Sequence, residues 1–137
     1  VQPQLVCIPA DSVELIWPGK VHDLIDSAFA ASNLAMPTDI LDQLRSGSRQ
    51  LWLGVTEDAA IVAAATTQIF EMREGRACKL LECGATTGLH NLAALRAGIE
   101  QYAKHNGCDR MLLEGRRGWE RAAPDYVVTG IILEKRI

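Results

Sequence analysis

Hydrophobic residues along the chain repeat in blocks of two periods, and each change of period marks an element boundary. Gln4 to Ile8 is a short β-prone run closed by Pro9. From Pro18 the spacing turns helical: Val21, Leu24, Ile25 and Ala28 fall at i, i+3, i+4 and i+7, one apolar stripe of a helix reaching about Ser32. Asn33 to Met36 interrupts it. Pro37 suits the first turn of a second, short helix, where its missing N–H would have no partner in any case. Ile40, Leu41 and Leu44 give that helix its buried face, and Gly47 gives it a stop.

The middle of the chain reads as β structure. Gln50 to Val55 is a strand, Thr56 to Ala60 a short polar turn, and Ile61 to Glu71 a second strand. Arg73-Glu74-Gly75-Arg76 makes the next turn, before the run Ala77 to Cys83. Three consecutive antiparallel strands are expected. Leu92, Leu95, Ile99 and Tyr102 then mark a helix face, stopped by Asn106-Gly107, and Arg110 to Glu114 is another strand. A strand, helix and strand in succession imply a right-handed crossover, so Arg110 to Glu114 should lie parallel to Ala77 to Cys83. Gly118 to Ala123 suits one or two helical turns before Pro124. Val127 to Lys135, with Thr129, Ile131 and Leu133 alternating against Val128, Ile132 and Glu134, predicts a closing strand.

The order is β-α-α-β-β-β-α-β-α-β: an α/β (α+β) chain with a mixed, mostly antiparallel central sheet of about six strands and helices on both faces. With 137 residues and 48% hydrophobic content, one core and a single domain over 1–137 are expected. A net charge of -3 with interspersed signs gives no field for wrapping nucleic acid. No run approaches the roughly 20 apolar residues that span a bilayer, and the first residues lack the order of a secretory signal. The expectation is a soluble, cytoplasmic protein that binds neither nucleic acid nor membrane. Cys7, Cys78, Cys83 and Cys108 form no CxxC and have no His pair at ligand spacing, so buried thiols are favoured over a metal site.

The element order, Leu51-Trp52-Leu53-Gly54-Val55, the hairpin through Ala63-Ala64-Ala65-Thr66-Thr67, the β-turn-helix junction "CGATTGLHN" and the helix ending Asn106-Gly107-Cys108-Asp109 resemble the GNAT N-acetyltransferase superfamily. Within it, "GCDRMLLEGRRGWER" (107–121) and Leu133-Glu134-Lys135 are similar to small GNAT-like proteins encoded among tailed-phage virion genes, which implies host cytoplasm or virion as the location. The superfamily resemblance implies acetyl-CoA held between two splayed strands, here Ala77 to Cys83 and Arg110 to Glu114, with its pyrophosphate in the following loop, Gly84 to His90. Unpaired N–H groups and the positive end of a helix favour an anion at such a place. The candidate cofactor residues are therefore Cys83, Gly84, Ala85, Thr86, Thr87, Gly88, Leu89 and His90. Two departures stand out. The loop lacks the family's Q/R-x-x-G-x-G/A pattern, and Leu89 and His90 follow Gly88 where a small residue is usual. Ordinary helix capping by Thr86, Thr87 or Asn91 accounts for the same composition.

Acetyl transfer to an amine needs a base for the amine and an acid for the leaving thiolate. The resemblance places the base at Glu82 or Glu114, at the ends of the two strands. It asks for a Tyr early in the helical piece after Glu114, where 116–123 has none; Tyr126 is the remaining candidate acid, at a position the family normally packs into its core. His90 at a helix start is a further proton carrier by residue type, while His22 and His105 lie on other helices. Trp52 reads as core. Trp119 among Arg116, Arg117 and Arg121 has the composition of a protein-binding hot spot, so Arg116–Arg121 is the candidate surface for a protein partner or self-association. Two functions remain open. One is a GNAT-like domain without catalysis, acting as a binding or assembly module and possibly phage-derived, which the departures favour; the other is a small acetyl-CoA-dependent N-acetyltransferase using a strand-end Glu as base.

Overall fold

A computed structural model describes residues 3–31, 35–86, 88–114, 121, 123–131 and 133–137, with the side chains of 88–92 left out. Strand β1 (Gln4–Ile8) leads through a 3-10 turn at Ala10–Ser12 into helix α1 (Val13–Ile16), which is too short to show a period in the sequence. Pro18 (ψ 145°) and Gly19 (φ 85°) then break the helical path before α2 (His22–Ala31). The left-handed φ at that break is cheap only for glycine. The second short helix, α3 (Ile40–Ser46), begins three residues after Pro37, whose carbonyl accepts from the Ile40 N–H at 3.5 Å.

Strands β2 (Gln50–Val55) and β3 (Ile61–Glu71) occupy the expected spans. β4 (Arg76–Ala85) runs two residues beyond Cys83, α4 spans Gly88–His105, and β5 is Arg110–Leu113. The sheet has the order β1-β2-β3-β4-β5, antiparallel except for the parallel pair β4–β5 made by the α4 crossover. Among the described residues it therefore holds five strands, where six are expected. The described residues of 127–137 form no strand, because alternation specifies which face a residue would take but not whether a partner edge is in reach.

Each face of the sheet buries its own core. Val13, Trp17, Val21, Leu24, Ile25 and Phe29 join Ile40, Leu44, Leu51, Leu53 and Ala64 beneath α1–α3. Trp52, Ala63, Ala65, Cys78 and Leu80 pack with Leu95, Ile99 and Ala103 beneath α4. Trp52 is core, as expected: it meets Tyr102 edge-on at 4.8 Å, and its indole N–H donates to Thr67 Oγ1 at 2.9 Å. Among the described residues no helix is long and apolar enough to cross a membrane.

Candidate functional site

The site is built where β4 outlasts β5. The two strands pair from Ala77↔Arg110 to Leu80↔Leu113, and the Glu114 N–H closes the ladder on the Leu80 carbonyl at 3.2 Å. β4 continues for five residues, Leu81 to Ala85, still paired with β3 on one side and, among the described residues, with no strand on the other. At the far end the Thr86 N–H donates to the Val62 carbonyl of β3 at 2.9 Å. Backbone groups alternate along a strand, so Gly84 and Glu82 also point their main chain at β3. Cys83 and Ala85 then aim their N–H and C=O groups at the open edge.

A bulge sets which side chains face which way. Thr66 lies opposite Glu82 but the adjacent Thr67 opposite Leu80, so Leu81 is an extra residue on β4. Before it, Cys78 and Leu80 enter the α4 core; after it, Cys83 and Ala85 do. Glu82 and Gly84 consequently face α1–α3. Gly84 has a packing reason to be glycine: a Cβ there would overlap the Leu24 carbonyl of α2, with that carbonyl carbon at 3.0 Å and Ser27 Oγ at 3.3 Å.

Glu82 is buried and held by Arg49 and Thr66. Arg49 Nη1 donates to its Oε1 at 2.8 Å and Oε2 at 2.7 Å, and the Thr66 hydroxyl donates to Oε2. Arg49 is itself fixed by Gln43, whose Oε1 accepts from Nε at 2.8 Å. The side chains of Arg49 and Glu82 are 11% and 9% exposed, so this is a buried ion pair with its hydrogen bonds satisfied. A carboxylate offers about four lone-pair sites; three are taken, and one on Oε1 remains. Sequence reasoning missed Arg49. Its signal was indirect: a Glu inside an apolar strand, opposite a Thr in another, needs a buried cation.

Glu114 lies on the same face at the last paired position, 3.5 Å from Lys79 Nζ, which sits 5.4 Å above the Phe70 ring. The structure thus brings Glu82 and Glu114 to one face near the point of divergence. Tyr126 is elsewhere. Its hydroxyl donates to Glu100 Oε1 at 2.7 Å, on the helix that covers the other face, and Arg96 lies 5.6 Å from its ring. Burial, then the bond to Glu100 and that carboxylate's charge, push the phenol well above its ordinary pKa.

Of the expected loop Gly84 to His90, Thr86 lies outside both elements. Gly84 and Ala85 belong to β4, and Gly88, Leu89 and His90 form the first turn of α4. Thr86 is exposed and its hydroxyl donates to the Val62 carbonyl at 3.3 Å. Thr87, Arg116, Arg117 and Trp119, and the side chains of Gly88, Leu89, His90, Asn91 and Leu92, fall outside the described residues. All four cysteines are free thiols, and burial pushes Cys83 and Cys78 up to about 12, with Cys108 adding to the shift at Cys78.

Acetyl-CoA can be tested against this geometry. The open-edge N–H and C=O of Cys83 and Ala85 suit the amides of a pantetheine arm, and the N–H groups for which a helix's first turn has no intrahelical acceptor suit a pyrophosphate. The main chain fits the group, whatever the side-chain departures.

No family model and no curated protein matches the sequence. Solved structures do match in fold. One is an aminoglycoside acetyltransferase from an uncultured soil metagenomic sample, in complex with sisomicin (TM-score 0.72, 11% identity, 98% of this chain and 95% of that one). A second is a ribosomal-protein-alanine N-acetyltransferase from Brucella melitensis (0.67, 11%, 98% and 99%). A third is a GNAT family acetyltransferase from Staphylococcus aureus (0.63, 12%, 100% and 100%). At these identities the likeness is one of fold: the chain has the mixed α+β architecture of GNAT acetyltransferases.

Proposed function

We propose that this chain is an acyl-CoA-dependent N-acyltransferase that lays the pantetheine arm of acetyl-CoA along the open edge of β4 and its pyrophosphate on the start of α4. The observation that supports this reading most is the pair of main-chain positions, Cys83 and Ala85, with no strand partner on that side among the described residues, close before an 18-residue helix. Bound there, acetyl-CoA supplies an activated acetyl group. With it bound, an acceptor amine held at this face would form the C–N bond as the C–S bond breaks, and the thiolate released would take its proton from solvent. Glu82 receives the amine's proton on the lone pair of Oε1 that Arg49 and Thr66 leave open, with Glu114 the second carboxylate on that face.

A second reading is a GNAT-fold binding or assembly module, in a phage particle or its assembly pathway, with Arg116–Arg121 as the contact surface. Two observations favour it: α2 packing accounts for Gly84 without a phosphate, and the Tyr126 phenol is committed to Glu100. Calorimetric titration with acetyl-CoA separates the two. The first reading expects stoichiometric binding, retained in Glu82→Gln while acetyl transfer to amines is lost. Absence of both heat and thermal shift at millimolar acetyl-CoA overturns it and leaves the second.

A further inference from the structure

Arg49 carries more donors than its neighbours use. Its Nε–H goes to Gln43 Oε1 at 2.8 Å, and Nη1 serves both oxygens of Glu82 and Thr66 Oγ1. A guanidinium holds a further pair of N–H groups on its other terminal nitrogen, and Nη2 of Arg49 has no partner among the described residues. Every buried side-chain nitrogen and oxygen among those residues is paired, so Nη2 is a nitrogen that solvent reaches. The ion pair therefore keeps one open valence of each sign side by side: the N–H pair of a cation at Nη2 and the lone pair of an anion at Glu82 Oε1. The two side chains are only 11% and 9% exposed. A ligand that met both would exchange few waters for charge-assisted hydrogen bonds in a recess where such bonds are strong.

We infer that the acceptor is a free α-amino acid, its carboxylate held by Arg49 Nη2 while its amino group is directed at Glu82 Oε1. The inference rests on the acyl-transfer reading of this site. Charge selects the class first. Arg49 and Glu82 cancel, and Lys79 and Glu114 on the same face pair with each other at 3.5 Å, so a polyamine finds no net negative charge there. A zwitterion instead aligns head to tail with the ion pair. Spacing selects next: the amino and carboxylate groups of an α-amino acid hang from one carbon, which suits two open valences of a single ion pair. A lysine side chain, or the first amine of a protein whose own carboxyl is an amide, would leave the Nη2 donors to water. The planar N–H pair is also what carboxylate recognition uses, and a lysine ammonium could not supply it while serving Glu82. In the transfer, the C–N bond forms as the C–S bond breaks. Of the two protons the ammonium nitrogen loses, one goes to solvent by way of Glu82 and one is matched by the proton the leaving sulfur takes up, so the product is an N-acetyl amino acid.

The test pairs calorimetric titration of the full chain with acetyl-CoA and a thiol-release assay over the standard α-amino acids, their methyl esters and their decarboxylated amines. At least one acid should be acetylated, with its N-acetyl product identified by mass. Its ester and its decarboxylated amine should each lose about a hundredfold or more in kcat/KM, mainly through KM, because the Arg49 donors are then left unpaired. Arg49→Lys keeps a cation beside Glu82 but removes the second nitrogen, so it should raise KM for the acid and bring the acid-to-ester ratio toward one. Should that variant fail to fold, the comparison of acid with ester on the parent chain still decides. An ester or amine used as well as its parent acid, or acetyl-CoA bound with no acid acetylated, overturns the inference and leaves the transferase reading standing. No binding of acetyl-CoA overturns both.

Discussion

Gly84→Ala isolates what the open-edge strand owes to packing. A methyl at position 84 would stand 3.0 Å from the Leu24 carbonyl carbon, with the carbonyl oxygen nearer still, against a favourable carbon–carbon separation of about 3.5–4.0 Å. The obstacle is backbone, so no rotamer change relieves it: α2 must move outward by roughly half an ångström or more. That displacement disturbs Val21, Leu24, Ile25 and Phe29, which bury α2 against the sheet, and overpacking of this kind costs about 1–3 kcal/mol. Restricting the unfolded chain returns about 0.5–1 kcal/mol. With backbone overlapped this closely the cost falls in the upper half of that range, so the net loss is about 1–2.5 kcal/mol, and for a domain of this size the melting temperature should fall by about 3–10 °C. Calorimetry or a circular dichroism melt reads it directly. An unchanged or raised melting temperature would refute the packing account of Gly84 and return the residue to the cofactor argument.

Two further outcomes follow from the ionisable pairs. Arg49→Met leaves Glu82 buried without its cation and should cost about 3 kcal/mol in urea unfolding, whereas adding Glu82→Gln should recover a substantial part of that loss; strictly additive single and double variants would count against the pair. The Tyr126 phenol is raised in the folded state, so its contribution is fully present below the unfolded value of about 10 and is lost as pH climbs toward the folded one. Melting temperatures from pH 9 to 11.5 should fall less steeply in Tyr126→Phe than in the parent chain, and parallel slopes would contradict the buried Tyr126–Glu100 bond.

Much of the fold was legible because period and punctuation agreed. β2 and β3 are apolar runs bounded by turn residues, and the β4–α4–β5 crossover follows from handedness alone. The rest depended on contacts that a single sequence does not encode. Four residues of α1 cannot display a helical period. The alternation at 127–135 predicts a strand, but the described residues of that span form none, because alternation does not specify pairing. Glu82 read as a strand-end charge because the extension of β4 to Ala85 has no signature in "ECGA", and its burial depends on Arg49, 33 residues away. The composition of Gly84, Thr86 and Gly88 suggests a phosphate loop; in the fold Gly84 ends up in a strand and Gly88 in a helix, with Thr86 in neither.

The extra residue Leu81 makes the chemistry of this face a matter of parity. Thr67 and Thr66 are consecutive and lie opposite Leu80 and Glu82, so removing that one residue would leave a regular ladder, with Leu80 still toward α4 and the carboxylate still toward Arg49. Removing Leu80 with it would turn everything from 82 to 85 half a turn, sending the carboxylate into the apolar layer under α4 and the Cys83 thiol toward Arg49. A deletion of one residue at this point should therefore be tolerated and a deletion of two rejected, a constraint that no comparison of residue types would disclose.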